Sequence, residues 1–132
     1  MIDFDWYRDS RRVICTSSAG YADELFARRL DTGEKRTLWK GNQAELDVAP
    51  DGLSVAFATG AGHQSMSLAR LFLEPPSDEG GLPTVRAPEP QILVQAKDRW
   101  HVHLGGWSWD SNQFVYTRDE DYGNVYELVE RR

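Results

Sequence analysis

Three stretches of this chain repeat one pattern, and a chain that repeats itself at this interval stacks copies of one small unit. The stretches are Trp6-Tyr7-Arg8-Asp9-Ser10-Arg11-Arg12-Val13-Ile14-Cys15-Thr16, Val48-Ala49-Pro50-Asp51-Gly52-Leu53-Ser54-Val55-Ala56-Phe57-Ala58 and Trp107-Ser108-Trp109-Asp110-Ser111-Asn112-Gln113-Phe114-Val115-Tyr116-Thr117. In each, an apolar residue is followed three positions later by Asp and a small residue, then by a polar pair and an apolar run. Asp9-Ser10, Asp51-Gly52 and Asp110-Ser111 carry hairpin-turn chemistry: the Asp side chain bonds the backbone two residues on, and the small residue relaxes the turn. The runs Val13-Ile14-Cys15, Val55-Ala56-Phe57 and Phe114-Val115-Tyr116 do not alternate with polar residues, which predicts strands packed on both faces.

A third strand is readable after each run, at Leu25-Phe26-Ala27, at Leu68-Ala69-Arg70-Leu71-Phe72 and at Val125-Tyr126-Glu127-Leu128. A fourth follows in two of the units: Lys35-Arg36-Thr37-Leu38-Trp39, after the turn Asp31-Thr32-Gly33-Glu34, and Gln91-Ile92-Leu93-Val94. The unit is a four-stranded antiparallel meander, and its repetition reads as propeller blades. Asp9 and Asp51 stand 42 residues apart, the length of one blade, whereas Asp51 and Asp110 stand 59 apart. The surplus of 17 residues fits the stretch 74–90, which holds five of the six prolines and Gly80-Gly81 and reads as an insertion unfit for a strand interior. The expected fold is all-β, a single domain over 1–132, with blade 1 at about 3–39, blade 2 at about 44–95 and blade 3 at about 101–130.

Val48-Ala49-Pro50-Asp51-Gly52-Leu53-Ser54-Val55-Ala56-Phe57 resembles the repeat signature of TolB-type propellers, Trp107 to Tyr116 resembles a second copy with Trp109 in place of the Pro, and Arg8-Asp9-Ser10 is a weaker third. The resemblance implies a six-bladed ring. Its functions range over assembly scaffolds, lids of peptidases and polysaccharide lyases, so it speaks for fold and not for activity.

Three blades do not close a ring, and the third ends after its third strand at Arg131-Arg132. The expectation is half of a six-bladed propeller, with apolar faces bare on blades 1 and 3. A head-to-tail homodimer buries both faces and completes the ring. The competing reading is a fragment whose missing blades were lost.

The stretch from Asp98 to Trp109 leads into the innermost strand of blade 3. On a strand, His101 and His103 face one side and can share a divalent metal, with Asp98 or Asp110 adding oxygen. This stretch is similar to that of oligogalacturonate lyases, whose Q-x-x-H-x-H sequence holds manganese. By position the resemblance implies ligands at His101 and His103, with Asp98 standing where the Gln belongs. A further histidine would have to be His63, whose loop between the second and third strands of blade 2 is not expected at the channel. Without a metal, His101 and His103 are histidines bonded to backbone and water. Trp100 and Trp109 are expected either as ligand platforms or as packing, and Trp107 as packing. Asp98 joins them as a candidate ligand-binding residue. Asp119-Glu120-Asp121 with Asn124 gathers oxygens as calcium sites do but lacks EF-hand spacing, and reads as a solvated acidic loop. Cys15 reads as an inert buried thiol, and Arg11-Arg12 and Arg28-Arg29 as outward charges that discourage edge pairing.

With 15 Lys and Arg against 21 Asp and Glu, the net charge is −6, which argues against nucleic-acid and anionic-membrane surfaces. The lone cysteine excludes an intrachain disulfide. The first residues lack the basic and apolar regions of a signal peptide, so the expected location is cytoplasmic, or periplasmic if the sequence is part of a longer one. The leading expectation is a non-catalytic interaction or ligand-binding module that needs no cofactor. The alternative is a metal-dependent carbohydrate-active enzyme or sugar-binding protein centred on His101 and His103.

Overall fold

The computed structural model describes residues 3–17, 22–97 and 100–120. Its strands are β1 (Phe4–Trp6), β2 (Arg12–Ser17), β3 (Ala22–Arg29), β4 (Lys35–Val48), β5 (Ser54–Thr59), β6 (Ser67–Glu74), β7 (Thr84–Val85), β8 (Gln91–Val94), β9 (Trp100–Trp107) and β10 (Phe114–Glu120). The fold is all-β. Strands β1 to β7 are successive antiparallel neighbours in one strongly curled sheet, β8 joins it at β6, and β9 and β10 form a separate hairpin. Among the described residues no helix is long and apolar enough to cross a membrane.

The three repeats fold into the same turn. Ser10, Gly52 and Ser111 all take left-handed backbone conformations, with φ of 56°, 72° and 61°. Their N–H groups donate to the carbonyls of Tyr7, Ala49 and Ser108, three residues back. The Asp before each one accepts the N–H two residues on, from Arg11, Leu53 and Asn112. Gly52 suits this conformation best, while Ser10 and Ser111 hold it with a side chain attached. The apolar runs behind the first two turns are buried throughout, as their lack of alternation requires.

The repeats lie beside one another in chain order. Tyr7 donates its buried hydroxyl to the Gly52 carbonyl at 3.1 Å, and Asp51 N–H donates to Ser111 Oγ at 3.0 Å. Between the first two repeats lies the main core, with Ile14, Leu25, Leu46, Val55, Phe57, Leu71 and Leu73. Between the second and third, Ala56, Leu68 and Val102 pack with Trp100, Leu104, Trp107 and Phe114.

Carboxylates tie β1 to β4 and β4 to β9. Asp3 and Asp5 accept Leu46 and Val48 N–H at 3.0 and 2.7 Å, and Glu45 and Asp47 accept Leu104 and Trp107 N–H at 2.6 and 2.7 Å. Each bond satisfies a backbone donor with a side-chain acceptor.

Strand β4 runs from the first repeat into the second, pairing first with β3 and then with β5. Two details depart from the sequence reading. The insertion 74–90 is not bare loop, because β7 forms within it against β6 and Leu82 is buried in the main core. Nor do the arginines simply face outward. Arg12 is buried, bonded to Asp9 and to the Glu79 carbonyl, and Arg11, Arg29 and Arg36 bond Glu79, Gly80 and Leu82. A buried guanidinium costs several kcal/mol unless paired, and the folded insertion supplies acceptors for it. The expected third strand of the last repeat, 125–128, lies outside the described residues.

Candidate metal centre

Strand β9 carries His101 and His103 on one side, two residues apart. His101 is fully buried and His103 partly so, and their Nε2 atoms stand 3.1 Å apart. Two nitrogens about 2.0–2.1 Å from one ion are separated by about 3.0–3.4 Å when they occupy neighbouring coordination positions. The 3.1 Å spacing falls within that range, and with no ion bound it is a hydrogen bond between the two rings.

The third ring is His63. Its loop leaves β5 through Gly60-Ala61-Gly62 and makes a single 3-10 turn over His63–Ser65. A Cβ on Gly60 would sit 2.3 Å from the Ser65 carbonyl oxygen, so this tight path requires glycine there. The loop is fastened to β9 where Val102 N–H donates to the Met66 carbonyl at 2.9 Å. The His63 ring thereby lies 4.7 Å from that of His101 and 5.0 Å from that of His103, centroid to centroid. One nitrogen from each of the three rings falls within 4.8 Å of the others. His63 is exposed, so the cluster opens to solvent on its side.

Two carboxylates flank His103. Glu45 Oε1 stands 3.0 Å from Nδ1, and Asp119 Oδ2 stands 3.4 Å from Nε2. Asp119 reaches this position from β10, directly across from His101. The cluster therefore combines three imidazoles with nearby carboxylate, a donor set suited to a borderline or moderately hard divalent ion. The chain matches no family model and no curated protein.

The remaining sequence candidates are dispersed. Trp109 is 88% exposed on the turn beyond β9, six residues past His103 and eight past His101. Trp100 lies under the Arg118 guanidinium at 4.2 Å and packs against the second core. Trp107 donates its indole N–H to the Asp47 carbonyl and meets Phe114 edge-on, which is a packing role. Asp110 accepts from Ser108 and Asn112 within its own turn, bonds that hold its carboxyl below the usual range, Ser108 contributing most. Asp98 lies outside the described residues, as do Asp121 and Asn124. Cys15 is buried and its thiol is pushed up by that burial, leaving little thiolate to react.

The sequence reading left out Glu45 and set His63 aside. Glu45 was visible in the alternation Glu45-x-Asp47, which repeats Asp3-x-Asp5 at the same place in the first repeat. His63 carried no such signal. Its approach depends on how a glycine-rich loop of the second repeat meets the third.

Proposed function

We propose that this protein binds one divalent metal ion at His63, His101 and His103, and that the ion is its functional centre. The observation that carries the reading is the convergence of three ring nitrogens from two repeats within 4.8 Å, on a face open through His63. Three protein nitrogens leave coordination positions for an outside ligand, and a Lewis-acidic ion there would favour one with carboxylate or hydroxyl oxygens. A sugar acid has both, in keeping with the lyase-like sequence around His101 and His103. The blade reading is supported by the three matching turns, the continuous β4 and the stacking of repeats in chain order. Metal analysis of the purified protein tests the proposal. One equivalent of manganese, zinc or nickel is expected, lost in His101→Ala/His103→Ala; a metal content that survives that double substitution contradicts it.

A second reading, an interaction module that pairs with its own copy, is favoured by the outer face of the first repeat. Phe4 and Trp6 stand opposite Cys15 and Val13 in register, and Phe26 joins Val13 and Cys15 in one cluster. Phe4 and Trp6 remain 56% and 50% exposed. An apolar face of this kind at the end of a stacked array is what a further unit would cover. Light scattering should give about twice the 15.0 kDa chain mass, and a monomer at micromolar concentration removes the reading.

A further inference from the structure

Glu45 occupies an unusual place in β4. Its φ is 53°, in the left-handed region that glycine and asparagine tolerate and glutamate does not favour, at a cost of about 1–2 kcal/mol. It sits at the irregularity between Ala44 and Leu46 where β4 changes register against β5. Such bulges re-aim a side chain, and Glu45 is aimed at β9. Its carboxylate meets two partners at once: Oε2 accepts Leu104 N–H at 2.6 Å, and Oε1 meets His103 Nδ1 at 3.0 Å.

The other three carboxylates of this inter-strand system meet backbone N–H groups across the gap. Glu45 alone of the four also meets an imidazole, and its extra methylene gives the reach for both partners. An ionised carboxylate only accepts hydrogen bonds, so the bond to His103 requires the proton on Nδ1. The Asp119 carboxylate lies farther from the ring, 3.4 Å from Nε2, so the shorter Glu45 bond decides the tautomer; in the neutral ring Nε2 then carries the lone pair, and Nε2 is the atom 3.1 Å from His101 Nε2.

We infer that Glu45 is the positioning residue of the metal centre: it fixes His103 in the tautomer whose Nε2 faces His101, and locks the ring in place through Leu104. This rests on the metal reading of the three histidines. The consequence is that fold and site share one side chain. The bond that joins the second repeat to the third also selects which nitrogen is offered to the ion, a role that carboxylates beyond the ligand shell commonly play.

Glu45→Gln separates the two duties. Its amide oxygen can still accept Leu104 N–H, but its NH2 then faces His103 Nδ1 and demands an acceptor there, which moves the ring proton to Nε2. The test is histidine ring nitrogen and carbon NMR of the metal-free full chain, paired with Mn2+ and Zn2+ titration. Wild type should show His103 protonated on Nδ1, and Glu45→Gln should show it on Nε2, with metal affinity about 10–100-fold lower. Glu45→Gly, which relieves the backbone conformation while removing the carboxylate, guards against a folding artefact. It should stay folded, keep a melting temperature near wild type and lose the same affinity. An Nε2 proton in wild-type His103, or wild-type affinity in a folded Glu45 variant, overturns the inference. If the NMR result holds while wild type binds neither ion, the metal reading fails and the tautomer assignment stands.

Discussion

Asp47 accepts the backbone N–H of Trp107 at 2.7 Å, the same bond that Asp5 makes to Val48 one repeat earlier. The two bonds are related as the repeats are, and they hold successive repeats in register through β1, β4 and β9. Burial raises the carboxyl of Asp47, the Trp107 N–H partly opposes that shift, and the neighbouring Asp5 adds to it.

The sign of that shift sets a pH dependence. A carboxyl raised on folding contributes most below its unfolded value of about 3.9, and the contribution is lost as pH climbs through the folded value. At neutral pH the ionised Asp47 therefore bears its full penalty. Asp47→Asn keeps an acceptor for Trp107 and removes the charge. Thermal melts should place the variant a few degrees above wild type at pH 7, with the gap closing towards pH 4. A gap that widens on acidification contradicts this account.

Tyr7 and Gly52 make a second junction between the first two repeats, through a buried hydroxyl. Tyr7→Phe leaves the Gly52 carbonyl without that donor and should cost about 1–2 kcal/mol in urea unfolding. No change in midpoint would mean that the bond contributes nothing to stacking.

The insertion should behave as a clamp and not as a tether. Asp9→Ala removes the acid beside buried Arg12 and leaves its charge less compensated, so it should destabilise more than Asp9→Ala combined with Arg12→Leu. Arg12 also bonds the Glu79 carbonyl, so Arg12→Ala should speed proteolytic cleavage within 74–82. Equal cleavage rates would place the hold on the insertion elsewhere.

Gly60→Ala tests how His63 is delivered. The added methyl would meet the Ser65 carbonyl oxygen at 2.3 Å, so the loop must shift, while the sheet behind it need not. Metal affinity should fall at least tenfold with the circular dichroism spectrum retained. Unaltered affinity would show that His63 is not a ligand.

Much of this molecule was legible where chemistry is local. The Asp-small pairs named three turns because an Asx bond and a left-handed residue are decided within five residues, as Asp51, Gly52 and Leu53 illustrate. The strand Gln91–Val94 and the place of the insertion followed from proline content and spacing. What escaped depends on contacts between repeats. Arg12 read as an outward charge because its partner, the Glu79 carbonyl, is 67 residues away in a segment that looked structureless. The approach of His63 to His101 needed both the Gly60 turn and the stacking of two repeats, neither visible as a pattern in the chain. His101 and His103 were legible because a strand places residues two apart on one side.

The proposed site holds one ion among three rings. Anomalous diffraction at the metal absorption edge, from crystals soaked in Mn2+ or Zn2+, tests this most directly. The account predicts a single strong peak about 2.0–2.3 Å from nitrogens of His63, His101 and His103, with Glu45 still bonded to His103 Nδ1. A soaked crystal without a peak there, in which the Nε2 atoms of His101 and His103 remain bonded to each other, would contradict it.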